Sequence, residues 1–229
     1  MTDLYLIRHG ESVVNVEPII GGMRGDTGLT DIGRAQARLL EDRLRAEPLA
    51  ADRLYASTLP RAMETAGYVA RALGLPVRPD DDLQELRPGE ADGLSLDEWQ
   101  ARYGGLDGAT VEPFRKLSPG GESWADFLLR AGRALTRLVE RHSDETVVAV
   151  CHGGVLEASF YLAFGLGATG NRVAFTPLNT SITHWRHRRA PDGRPEWTLV
   201  AFNDAGHLVG ESTPAEPERD AIPTPAEET

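Results

Sequence analysis

Cysteine is almost missing from this 229-residue chain. Cys151 stands alone, which excludes an internal disulfide and a cysteine-based zinc site. Positive charge is also short. A formal net charge of −11 argues against a general binder of nucleic acid or of acidic membranes, since both need clustered cations, so neither partner is expected. A small anionic substrate stays open, because a few arginines in a cleft can reverse the sign locally. No apolar run approaches transmembrane length, and no charged-then-apolar leader opens the chain. The first strand starts by residue 4 and leaves no room for a removable peptide, so the expectation is a soluble, cytoplasmic protein. What is present is an apolar fraction of 41%, enough for the core of one large domain or two small ones.

Residues 3–8 read as a short buried strand. "LTDIGRAQARLLEDRLRA" (29–46) carries apolar residues near helical spacing, with Thr30 as N-cap. "DRLYAS" (52–57) reads as a second strand, and 59–74 as a helix with Pro60 in its first turn and Gly74 as terminator. The region 75–121 is rich in Gly, Pro and acids and reads mostly as loop. A short helix is expected within it near 96–103, where Ser95 and Glu98 are spaced as a capping box. A longer helix follows from about Ser123 to His142, with Asp126 placed for a similar cap. "TVVAVCHGG" (146–154) is the clearest strand, followed by a helix from Val155 to about Gly165. Two late strands, 181–188 and 197–204, are joined by a Pro-Asp-Gly turn. Strands alternating with helices predict an α/β fold, a three-layer sandwich whose mostly parallel central sheet has helices on both faces. The expected domain is 1–210. From Glu211 the composition turns acidic and proline-rich, with almost nothing to bury, which predicts a disordered tail over 211–229.

Two strands end in a histidine followed by glycine: Arg8-His9-Gly10 and His152-Gly153-Gly154. Ligands of open α/β sheets bind outside the carboxyl ends of the strands, so both tips can meet in one pocket. Glycines let backbone approach a ligand, and the helix after His152 would aim free N–H groups at an anion. Arg61, in the first turn after the 52–57 strand, adds a second guanidinium. Two arginines, two histidines and helix N-termini suit a phosphoryl dianion.

Four motifs lie in order: "RHGES" with Asn15, "S-x-x-x-R-A-x-x-T-A" at 57–66, "L-x-E-x-x-x-G-x-x-x-G" at 83–93 and "HGG" at 152–154. In this the chain resembles the histidine phosphatase superfamily, also called the phosphoglycerate-mutase-like family, over roughly residues 3–208. The resemblance implies that fold and a metal-independent phosphomonoesterase needing no cofactor. It makes His9 the nucleophile that becomes a phosphohistidine. Arg8, Arg61 and His152 would hold the phosphoryl oxygens with help from Asn15, and Glu85 would be the proton donor. Ser57 would support the pocket. Gly153 and Gly22, or its neighbour Gly21, are the backbone candidates for the phosphate site.

The chemistry is coherent. A neutral imidazole can attack phosphorus in line, and Arg8 and Arg61 should discourage its protonation. The cations stabilise the equatorial oxygens. Glu85 near a phosphate dianion would keep a proton for the leaving alkoxide, then activate the water that hydrolyses the phosphohistidine. Plainer roles fit other residues. Glu11 reads as a structural acid, and His142 sits at a helix C-terminus, where a cation is welcome. His184 and His187 should point to opposite faces of a strand, Cys151 should face the core, and His207 has no assignable role. For His9 and His152 the alternative is hydrogen-bonded strand ends, and for Glu85 a solvated acid beside Asp80, Asp81 and Asp82. The loops 16–28 and 104–121, with Glu157 and Phe160, should line the entrance. Val14 and Ala91 depart from the family pattern, which often has aromatic residues there.

A cofactor-dependent phosphoglycerate mutase shares this chemistry. Such mutases carry a long basic, proline-rich insertion between the acid and the second histidine, and here that segment is short. A phosphatase acting on a small phosphorylated metabolite is therefore favoured. A non-catalytic phosphate-binding module is the remaining alternative, weakened by the retention of His9, Arg61 and His152. Family members form dimers, which leaves a homodimer open, although no residue pattern predicts one.

Overall fold

The computed structural model describes residues 1–104, 112–169 and 173–209. The tail at 211–229 and part of the 104–121 loop lie outside them.

The chain runs β1 (Thr2–Arg8), α1 (Val13–Val16), α2 (Asp31–Ala46), β2 (Arg53–Ser57), α3 (Pro60–Leu73), β3 (Val77–Asp80) and α4 (Leu96–Tyr103). It continues with α5 (Trp124–Arg141), β4 (Thr146–Cys151), α6 (Gly153–Phe164), β5 (Ile182–Arg189) and β6 (Pro195–Asp204). Local chemistry sets most of these boundaries. Thr30 accepts from the Gly33 N–H at 3.0 Å and starts α2. Ser95 with Glu98, and Ser123 with Asp126, close capping boxes on α4 and α5. Gly74 and Gly165, both left-handed, end α3 and α6.

Among the described residues, six strands form one mixed sheet in the order β3-β2-β4-β1-β5-β6. β3, β2, β4 and β1 are parallel, β5 is antiparallel to β1, and β6 is antiparallel to β5. β4 shows why the sheet is covered twice. Val147, Ala149 and Cys151 join one buried cluster with α5 and α6, while Val148 and Val150 join another with α2 and α3. Side chains alternate faces along a strand, so an unbroken apolar run needs helices on both sides. Each fully buried Leu, Val or Phe there contributes about 1.5–3 kcal/mol.

β3 is a strand where loop was expected. It is a four-residue edge strand with Arg78 and Pro79 exposed, so it carries no apolar alternation, and its proline is tolerated at the edge. α1 was also not foreseen. His184 and His187 do face opposite ways: His184 stacks on Tyr5 at 4.0 Å, and His187 packs against Trp197 at 4.8 Å. Cys151 is buried in the α5–α6 cluster, and burial raises its thiol pKa. His142 ends α5, bonded to Tyr55 and Glu145.

Candidate active site

Because β4 lies between β2 and β1, three strand tips stand side by side. They carry Ser57 from β2, His152 after β4 and His9 after β1. The His9 and His152 rings are 5.1 Å apart between centroids and tilted by 58°. Both are buried.

The proton on His9 is placed by its partners. Nδ1 lies 2.7 Å from the Gly10 carbonyl, which can only accept. Nε2 receives the Arg61 Nε–H at 3.1 Å, which can only donate. The ring is therefore neutral, with its proton on Nδ1 and its lone pair on Nε2. Burial first, then the charges of Arg61 and Arg8, hold its pKa well below 6.5. His152 is held down in the same direction by burial and then by Arg61, His9 and Arg8. Its Nε2 meets Ser57 Oγ at 2.7 Å, while its buried Nδ1 has no hydrogen-bond partner.

The segment 57–66 works as a unit. Ser57 holds His152, and Arg61 holds His9. Ala62 and Ala66 are fully buried in the α2–α3 cluster. Thr65 Oγ1 accepts the Gly10 N–H at 3.1 Å and donates to the Arg61 carbonyl at 2.8 Å, tying the histidine's strand exit to the arginine's helix. Gly10 is required for that exit: a Cβ there would stand 2.6 Å from the Gly33 carbonyl oxygen in the first turn of α2. Arg8 is buried and donates through Nη1 to the Pro177 carbonyl at 2.5 Å. Glu85 reaches the start of α6, where Oε2 accepts the Gly154 N–H at 2.9 Å and Oε1 accepts the Leu86 N–H at 3.0 Å. A Cβ at position 154 would lie 2.2 Å from Glu85 Oε1, so the carboxyl group occupies the space that glycine leaves.

The sequence model of the histidine phosphatase superfamily (branch 1) matches residues 4–205, which include every one of these side chains. The chain belongs to that superfamily. Its fold is shared by a mycobacterial glucosyl-3-phosphoglycerate phosphatase complexed with VO3, at TM-score 0.73 and 26% identity, over 88% of this chain and 99% of that one. A phosphoserine phosphatase from Entamoeba histolytica in complex with phosphoserine matches at TM-score 0.72 and 26% identity, over 91% and 100%. A 2,3-bisphosphoglycerate-dependent phosphoglycerate mutase from Brucella canis is 33% identical over 189 residues, covering 78% of this chain and 88% of the mutase. The superfamily thus contains phosphatases and mutases at similar distance.

Within this superfamily member, some expected residues stand elsewhere. The Gly22 N–H does not point to an open phosphate site but donates to Asp92 Oδ1 at 2.9 Å; the same carboxylate takes the N–H groups of Arg24 and Gly25. The start of α6 is likewise shared: the Gly154 N–H is taken by Glu85. Asn15 uses its side-chain oxygen on Ser12, closing the cap of α1. Glu11 accepts from Thr30 at 2.7 Å, in keeping with a structural acid. Glu157 and Phe160 are not at an entrance. Both are buried, and Phe160 stacks on Phe175 at 4.0 Å with Trp185 and Phe202 edge-on.

Four residues have roles that were not anticipated. Asp26, with a fully buried side chain, accepts Arg61 Nη1 at 2.8 Å and the Arg61 backbone N–H at 3.2 Å, which turns the arginine's Nε toward His9. Its only signal in the sequence is an acid between glycines in a loop. Asn179 donates to the His9 carbonyl at 2.9 Å, and the Thr180 N–H donates to the Arg8 carbonyl at 3.0 Å, so the β5 approach fixes the backbone at His9. His207 bonds Thr180 at 3.0 Å, and its pKa is pushed down to about 4 by burial and by Arg43. Among the described residues no group of three or more His, Cys, Asp or Glu could hold a metal, and no helix is long and apolar enough to cross a membrane.

Burying two neutral histidines ties stability to pH. His9 and His152 take up protons on unfolding, so stabilisation is present above the unfolded value of 6.5 and is lost as pH falls through it. Each contributes a slope of about 1.4 kcal/mol per pH unit below that point. Urea unfolding of wild type and His9→Gln at pH 7.5 and 5.5 reads this, with the variant showing the shallower loss. Equal losses would mean that His9 titrates alike in both states.

Proposed function

We propose that this chain is a metal-independent phosphomonoesterase acting on a small phosphorylated metabolite through a phosphohistidine on His9. The observation that carries it is the neutral His9, whose Nε2 lone pair is aimed by Arg61 beside the buried, unpaired Nδ1 of His152. Phosphoryl oxygens draw the Arg61 N–H groups to themselves and bare that lone pair. Nε2 then attacks phosphorus as the P–O bond to the leaving group breaks, and Glu85 gives its proton to the departing oxygen. Arg8, Arg61 and His152 take up charge on the three equatorial oxygens. In the second half Glu85 removes a proton from water, whose oxygen forms the new P–O bond as the N–P bond breaks. Neutral His9 and inorganic phosphate result.

The related phosphatases act on phosphoserine or glucosyl-3-phosphoglycerate, and one has been captured with 3-phosphoglyceric acid. These support a phosphate ester of a three-carbon acid as the first class to try. The experiment is phosphate release in excess EDTA from an aryl phosphate, phosphoserine, 3-phosphoglycerate and glucosyl-3-phosphoglycerate. Turnover of any of them is expected, and silence on all would overturn the reading. The mutase reading is favoured by the Brucella mutases. Conversion of 3- to 2-phosphoglycerate, primed by the bisphosphate and without net phosphate release, would establish it instead.

Asp26→Asn keeps the shape beside Arg61 and removes the charge. A charged hydrogen bond contributes about 1.5–3 kcal/mol, so kcat/KM should fall ~10–100-fold on every ester. An unchanged value would mean that Arg61 holds its aim without the carboxylate.

A further inference from the structure

We infer that Arg130 is a positioning residue for Glu85, acting with Glu122 as a clamp that holds the proton-donor segment against the start of α6; this rests on the role proposed for Glu85 above. Arg130 lies on α5, remote in sequence from all four motifs, and is largely buried. It spends all five of its N–H donors. Nη1 donates to the carbonyls of Asp82 and Gln84, each at 2.9 Å, and Nη2 to the carbonyl of Glu85 itself at 3.1 Å. The remaining two, from Nε and Nη2, form a paired fork on the Glu122 carboxylate at 2.6 Å each. Glu122 in turn accepts the Arg87 N–H at 3.0 Å, and its own N–H donates to the Arg87 carbonyl at 2.9 Å. The backbone is thus gripped on both sides of Glu85, at residues 82–85 and at 87.

Ordinary loop packing would not need this. Three backbone carbonyls converge on one guanidinium, and only a planar group with five fixed donors can serve them while also pairing with a carboxylate. A proton donor must sit within hydrogen-bond reach of the leaving oxygen, and Glu85 is on an irregular segment with no ladder of its own at that point. Displacement by about 1 Å can cost 10²-fold in rate. The clamp supplies from α5 the rigidity that the segment lacks.

The test is Arg130→Lys, with Glu122→Gln as a second variant, assayed beside Glu85→Gln on an aryl phosphate and on an alkyl phosphate such as 3-phosphoglycerate. Arg130→Lys should lower kcat/KM on the alkyl ester ~10–100-fold, through kcat with KM within ~3-fold, and change kcat/KM on the aryl ester by less than ~3-fold. Added to Glu85→Gln, it should cost no more than ~3-fold further, because both act through one proton transfer. Glu122→Gln should reproduce the selective loss in smaller measure, and it decides the matter if the lysine variant does not fold. Equal losses on both esters, or additive losses in the double variant, would make Arg130 a structural residue only. If Glu85→Gln itself shows no dependence on the leaving group, the acid assignment falls and the clamp with it. A selective Glu85→Gln beside an indifferent Arg130→Lys overturns the clamp alone.

Discussion

With His9 as the proposed nucleophile, His9→Ala should lose phosphate release on every substrate, the aryl phosphate included, while the protein stays folded. The size of the loss follows from covalent catalysis. Removing a nucleophile costs on the order of 10⁴–10⁶ in kcat, because the arginines that remain can bind phosphate but nothing forms the first bond. A good leaving group does not help, since the missing step is attack. The fold should survive because His9 makes few bonds beyond Gly10 and Arg61, and its backbone is held independently by Asn179 and Thr180. The checks are phosphate release with thermal unfolding on the same samples, and an acid-labile phosphoprotein trapped by rapid quench in wild type only. Release in the variant at more than about a thousandth of the wild-type rate would show that water attacks the ester directly.

Glu85→Gln separates substrates by their leaving groups. Glutamine has the shape of glutamate and can still accept the Gly154 N–H, so the segment should keep its place. It has no proton to give an alkoxide. An alkyl ester should lose ~10²–10⁴ in kcat/KM, which reports formation of the phosphohistidine, and an aryl phosphate less than ~10-fold. With the aryl ester, breakdown of the phosphohistidine is the step that still needs a base, so its loss in kcat reports the second half of the cycle. A pre-steady-state burst of phenol would reveal this directly. Equal losses on both esters would remove Glu85 as the acid.

Much of the fold was legible because its signals are local. The capping boxes of α4 and α5 are four-residue patterns whose hydrogen bonds close within one turn, and both formed as spaced. β1 and β4 were plain because strands buried on both faces carry unbroken apolar runs. β3 was missed for the converse reason: an exposed four-residue edge with a proline has no pattern to read. The site divides along the same line. Arg8, His9, Arg61, Glu85 and His152 were singled out because each lies in a short motif. Asp26 was not, because an acid in a glycine-rich loop is solvated by default, and only its burial against Arg61 gives it a role. Arg130 was hidden on an amphipathic helix, where an arginine ordinarily faces water.

Short-range patterns alone were enough to single out the residues to which the chemistry is assigned and most of the strands and helices, because neighbouring side chains decide those matters. They could not say that β4 would insert between β2 and β1, setting His152 against both Ser57 and His9. Nor could they reveal that the start of α6 would receive Glu85, or that Gly22 would be spent on Asp92. Those choices belong to the tertiary structure. They depend on which buried donors and acceptors find each other across more than sixty residues, a competition that only the packed chain resolves.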